Sequence, residues 1–148
     1  MGTSVGCAPS PEPLWVNAVV GAIPEGAFNG GYDNGINLIL CRALHEGVLI
    51  PGKFIPTYGC HVGLGGTEYE KKEFEVYVGS GSWVAGAGSN IPPNAVLGVE
   101  PEDGGPVYVC RANHVGSVTI GKLSTQGVCY IPHGWQEHSY TDFEVLTS

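Results

Sequence analysis

Apolar residues along this chain gather in strand-length runs, and nowhere does a 3.6-residue period persist for three turns. Leu38-Ile39-Leu40-Cys41 continues through Arg42 to Ala43, then His45-Glu46-Gly47 interrupts and Val48-Leu49-Ile50 resumes. That pattern predicts a hairpin with a glycine-bearing loop. Folding about Glu46 places Lys53 near Ile39. Val107 to Ala112, a turn through Gly116 and Val118-Thr119-Ile120 repeat the same design. Phe74-Glu75-Val76-Tyr77-Val78 alternates in period two, and Phe143 to Leu146 is its counterpart. The expectation is an all-β fold of short antiparallel strands.

The pattern occurs twice because the sequence does. Trp15-Val16 recurs as Trp83-Val84, Ile23-Pro24 as Ile91-Pro92 and Gly30 as Gly98, at an offset of 68. One added residue moves the offset to 69, where Cys41-Arg42-Ala43 matches Cys110-Arg111-Ala112. Further matches are His45 with His114, Gly52-Lys53 with Gly121-Lys122, Cys60 with Cys129, Glu68 with Glu137, and Phe74-Glu75-Val76 with Phe143-Glu144-Val145. From Gly35 to Val76 there are 14 identities in 42 ungapped positions. Each copy is too small for a comfortable core of its own. The division is therefore a flexible lead-in at 1–14, a first repeat at 15–82 and a second at 83–148. The two copies should superpose about a pseudo-twofold axis and intertwine, with Trp15 and Trp83 buried equivalently.

Composition narrows the partners. The 24 glycines and 11 prolines suit many tight turns. A net charge of −8 repels phosphate backbones and anionic membrane surfaces. Nucleic acid is thus excluded as a partner, and no stretch has the length of a transmembrane segment. Met1 to Leu14 lacks an apolar signal core, which leads to the expectation of a cytoplasmic protein, released if at all by a non-classical route. Five cysteines in that setting are expected as free, mostly buried thiols, with no disulfide between the copies.

The ordered positions resemble a known family. Trp15-Val16, Ile23-Pro24-Glu25-Gly26-Ala27 and Gly30-Gly31-Tyr32-Asp33 look like the opening of a DM9 repeat. Arg42 to Lys53, ending Pro51-Gly52-Lys53, is similar to its most specific segment, and Cys60 and the run from Glu68 to Val76 complete it. The resemblance covers Trp15 to Leu146 as two tandem copies. It implies a small all-β protein akin to the mannose-binding lectins of invertebrate innate immunity, often dimeric, without the pore-forming region that some members carry. It implies as partners mannose or mannose-containing glycans, such as those of a microbial surface, and a second copy of the chain in a homodimer. Sugar contact in the family maps onto Asp33 and Lys53.

The chemistry of that pair suits a sugar. Adjacent hydroxyls of a hexose both donate and accept; a carboxylate accepts from two while an ammonium donates to them. As exposed side chains the two would otherwise form a surface ion pair worth ~0–1 kcal/mol, removable without harm to the fold. In the second copy Lys122 replaces Lys53, and the inserted residue leaves Pro101 or Glu102 opposite Asp33. Glu102 or Asp103 partners Lys122, or the second site is degenerate; Asn34 beside Asp33 is a further candidate. Arg42 and Arg111 lie within apolar strands, where an arginine props a carboxylate, with Glu75 and Glu144 the available partners. His45 and His114 serve their loops. His133, Glu137, His138 and Cys60-His61 lack the spacing of a zinc site, so neither a metal nor a cofactor is expected. Asp33 and Glu102 as hydrolase carboxylates lack a convergent pocket, and no nucleophile elbow or phosphate loop is present, so no enzyme is expected. The alternative to a lectin is a non-enzymatic intracellular adaptor for protein or membrane partners.

Overall fold

The computed structural model describes residues 14–99 and 106–148, so Glu102, Asp103 and all of the lead-in but Leu14 lie outside the described residues. Fourteen strands follow in order: β1 Leu14–Ala18, β2 Asn29–Asp33, β3 Ile36–His45, β4 Val48–Ile55, β5 Gly59–Leu64, β6 Thr67–Lys71, β7 Phe74–Val78, β8 Ser82–Ala85, β9 Leu97–Val99, β10 Val107–His114, β11 Ser117–Leu123, β12 Cys129–His133, β13 Gln136–Tyr140 and β14 Glu144–Thr147. Among the described residues there is no helix. All pairings are antiparallel, and the sheet order β1-β7-β3-β4-β5-β6-β13-β12-β11-β10-β14-β8 is a palindrome of repeat mates. β2 bridges β3 and β11, which closes the inner strands into a barrel. The expected pseudo-twofold is present down to register. Cys41 faces Val76 and Arg42 faces Glu75, just as Cys110 faces Val145 and Arg111 faces Glu144.

β3 is apolar from Leu38 to Cys41 because that stretch is covered on both faces. Ile39, Cys41 and Ala43 point into a cluster with Ile50, Phe54, Cys60, Val62, Phe74 and Val76, all from the first copy. Leu38 and Leu40, on the opposite face, join Tyr77, Val96, Val109, Ile120 and Leu146 in a central cluster built by both copies. Cys110, Ala112, Leu123, Cys129, Ile131, Phe143 and Val145 form the second copy's own cluster. Burying a Leu or Ile side chain contributes roughly 1.5–3 kcal/mol, so the shared cluster stabilises both halves at once.

The hairpins turn through two residues with left-handed backbone: Glu46-Gly47 at φ 51° and 81°, and Val115-Gly116 at 45° and 83°. The two-residue turn centres the first hairpin between Glu46 and Gly47, so Lys53 faces Leu40 rather than Ile39. Exchanged contacts knit the copies. Arg42 donates to the Gly98 carbonyl at 3.0 Å and Arg111 to the Gly30 carbonyl at 2.9 Å. β2 lies so close to β11 that a Cβ on Gly31 would stand 2.0 Å from the Val118 carbonyl oxygen.

Two sequence expectations need correction. Trp15 and Trp83 are equivalent but only half-buried, each with one face covered by a guanidinium: Arg42 over Trp15 and Arg111 over Trp83, both at 4.4 Å. Both arginines also hold the anticipated carboxylates, Glu75 and Glu144, at 2.7 Å. The cysteines are not all free thiols. Cys41 is bonded to Cys60 and Cys110 to Cys129, each pair within one copy and with 6.1 Å between Cα atoms. In a flat sheet β3 and β5, two strands apart, would stand roughly 9.5 Å from each other. Gly52, the register partner of Cys41, lets them close: a Cβ there would meet the His61 carbonyl oxygen at 2.0 Å. Among the described residues no disulfide crosses between the copies, as expected.

Candidate functional site

Lys53 lies on β4 between Leu40 and His61. It is 3% exposed, so its ammonium is drawn below the barrel surface rather than displayed on it. Its partner is Glu68 on β6, 6% exposed, at 3.8 Å. Glu68 is the most heavily used carboxylate of the site. One oxygen accepts from the Trp135 backbone N–H at 2.6 Å, and the other meets His61 Nδ1 at 3.0 Å. His61 turns Nε2 to Glu70 at 3.3 Å. Burial pushes the Glu68 carboxyl upward, but the His61 hydrogen bond, the Lys53 charge and the Trp135 N–H outweigh it and hold it below the usual range. Burial also dominates at Lys53, which is drawn below its ordinary value despite Glu68 and Asp33 nearby. The expectation of an exposed, dispensable lysine is therefore wrong: removing Lys53 strands a buried carboxylate.

Asp33 ends β2 just before the Asn34-Gly35 turn, whose φ values of 52° and 81° explain both residues as turn formers. Its carboxylate is 37% exposed and faces His133 Nε2 at 3.2 Å. The fold thus brings Asp33 and Lys53 into one electrostatic neighbourhood, each with its own partner, and not into a direct ion pair. His133 belongs to a group of stacked imidazoles: His114 is 4.6 Å from it and 4.2 Å from His138, ring centre to ring centre, and His114 Nδ1 hydrogen-bonds the Tyr140 hydroxyl. Burial first, then His138, His133 and Lys53, keep His114 below its ordinary value, with Asp33 opposing. Among the described residues no group of three or more His, Cys, Asp and Glu side chains is arranged to hold a metal ion.

The second copy repeats the scaffold with other side chains. Lys122, 20% exposed, meets Glu137 at 3.0 Å and donates to the Gly63 carbonyl at 2.8 Å. Glu137 accepts from the Gly66 N–H at 3.0 Å, as Glu68 does from Trp135, so each copy's glutamate grips the other copy's hairpin. Tyr130 replaces His61, Leu64 replaces His133, and Gly66 replaces Trp135. Glu102 and Asp103, proposed from sequence as partners of Lys122, lie outside the described residues; the partner that is seen is Glu137. Two surface cavities, about 550 and 570 Å³, are repeat mates around Arg111–Glu144 and Arg42–Glu75, and include neither Asp33 nor Lys53. Both guanidiniums there are already committed to carboxylate, carbonyl and indole.

Sequence reasoning missed Glu68, His61, His133 and Trp135. Glu68 left a signal as the repeat mate of Glu137, an acidic identity inside the aligned stretch. The others left none, since each differs from its mate.

The sequence pattern of the DM9 repeat matches residues 32–140. The chain belongs to the DM9 repeat family. A search of curated proteins finds no match. Among solved structures, this DM9 protein is similar to the crystal structure of the nematode sperm cell motility protein MFP2B. The TM-score is 0.70 at 13% identity, covering 98% of this chain and 51% of that one. At that identity the likeness is one of fold. The chain spans about half of that protein's length.

Proposed function

We propose that this DM9 repeat protein binds mannose-type sugars at the junction of its two copies, without chemistry and without a metal, as a pattern-recognition lectin. The observation that carries the reading is Asp33, an accessible carboxylate held by His133 and set in the field of the buried Lys53–Glu68 pair. Asp33 accepts from two adjacent hydroxyls. Lys53 keeps negative charge stable beneath the barrel surface and steadies Glu68, which in turn fixes the hairpin tip at Trp135. One open site closed by a few hydrogen bonds has an affinity on the order of millimolar, about −4 kcal/mol. Useful avidity then requires several sites together, through a homodimer or a working second copy. The two disulfides would persist in an oxidising setting such as the extracellular one, where microbial glycans are met.

The test is retention on mannose resin and a glycan array. Native protein is expected to bind with EDTA present, and Asp33→Ala to lose binding while keeping its unfolding midpoint. A glycan array with no hits would contradict the reading. In that case an adaptor role gains ground, since the fold also serves a sperm cell motility protein.

A further inference from the structure

Trp135 occupies a position where the repeat needs no side chain. Its mate Gly66 makes the same backbone contacts. Gly66 N–H donates to Glu137 at 3.0 Å and Gly66 C=O accepts from the Glu137 N–H at 2.9 Å; Trp135 gives 2.6 and 3.1 Å with Glu68. The turn is left-handed at both places, φ 92° at Gly66 and 68° at Trp135. Glycine adopts that region freely and a bulky side chain does not. The indole is also 62% exposed. Neither the turn nor the core explains it, and bulky residues held in such conformations cluster at ligand clamps.

The ring's surroundings suggest what it does. Its centre is 5.9 Å from that of His61, tilted by 36°, and His61 hydrogen-bonds the buried Glu68. Two residues earlier in the same turn region, His133 carries the contact to Asp33. An indole presents a flat apolar face and a polar edge, a match for a ligand apolar on one side and hydroxylated at its rim. A mannopyranose with an equatorial anomeric group is such a ligand, because the face bearing the axial hydrogens of C1, C3 and C5 is apolar.

We infer that the Trp135 indole is the stacking platform for the C–H face of a pyranose, and that it makes the first copy's site the tighter of the two. This rests on the sugar-binding reading above and adds to it the residue that sets affinity and separates the two copies. The second copy, with Gly66 at the corresponding tip, offers no such surface.

The experiment titrates native, Trp135→Gly, Trp135→Phe and Asp33→Ala proteins with methyl β-mannopyranoside, followed by calorimetry and saturation-transfer NMR. Glycine suits the backbone at that tip, so the fold of Trp135→Gly is safe, and its thermal midpoint verifies this. Trp135→Gly is expected to bind at least tenfold more weakly and Trp135→Phe within about threefold of native. Saturation transfer to the C3 and C5 hydrogens should be strong in native protein and lost in Trp135→Gly. Native binding with Trp135→Gly within twofold of it overturns the platform and leaves the lectin reading standing. Absence of binding by native protein overturns both.

Discussion

In the first copy Lys53 meets a glutamate that also serves His61 and the Trp135 backbone; in the second, Lys122 meets a glutamate backed by a glycine carbonyl and the Gly66 backbone. The strands beneath follow the same order and pairing, disulfide included. Around the two lysines the side chains differ: His61 stands against Tyr130, His133 against Leu64 and Trp135 against Gly66. Duplication preserved the frame because both halves build the central cluster and neither can change alone. The rim was free to diverge, and the first copy's site gained His61 from its own strand and His133 and Trp135 from the second copy's hairpin.

Breaking the buried pair should expose the largest difference. Lys53→Ala leaves Glu68 buried and unpaired, for a loss of about 3–5 kcal/mol in urea unfolding. Lys122→Ala removes a more exposed cation, and the loss should stay near 1–2 kcal/mol. Equal losses would mean the two pairs are interchangeable. The disulfides test the other half of the comparison. The Cys41→Ser/Cys60→Ser and Cys110→Ser/Cys129→Ser variants open loops of the same length, a separation of 19 residues. Each should lose ~3 kcal/mol, and the same amount. Alkylation of denatured, unreduced protein should leave those four cysteines unmodified; labelling of them would refute the pairing.

Acidification should show the imidazole group next. The folded state holds His114 below 6.5, so the unfolded chain takes up its proton first. The His114 contribution is complete above pH 6.5 and is lost as pH falls through the depressed value. Glu68, held below 4.5, contributes above that pH and is lost at lower pH still. Stability against pH should therefore decline in two stages, and His114→Gln should remove the upper one. A single stage in native protein, below pH 4.5, would contradict the role given to His133, His138 and Lys53 around His114. The smallest effect belongs to Trp135→Gly, which relieves a left-handed backbone and should gain about 0.5–1 kcal/mol.

Much of the frame was legible before any coordinates. Period-two patterning placed the hairpins, and the scarce repeat mates Arg42 and Arg111 pointed to Glu75 and Glu144. Residues that carry the frame obey rules of burial and period, and those rules act along the chain. The disulfides were misread because thiol state was argued from compartment, while the telling signal, the equal Cys41–Cys60 and Cys110–Cys129 spacing, was geometric. Lys53 was read as exposed because a lysine usually is; only the convergence of β4, β6 and the other copy's hairpin gives it a buried partner. His133 and Trp135 come from the opposite copy, a hundred residues from Asp33, and no local pattern announces such a meeting.

The central claim is that sugar is held between Asp33 and the Trp135 hairpin, and a ¹H–¹⁵N NMR titration with methyl β-mannopyranoside reads it residue by residue. The account predicts saturable shifts, on the order of millimolar, at the amides of Asp33 and Asn34 and at the Trp135 indole, with the corresponding Gly66 amide still. An unchanged spectrum, or shifts confined to the Arg42 and Arg111 cavities, would contradict it.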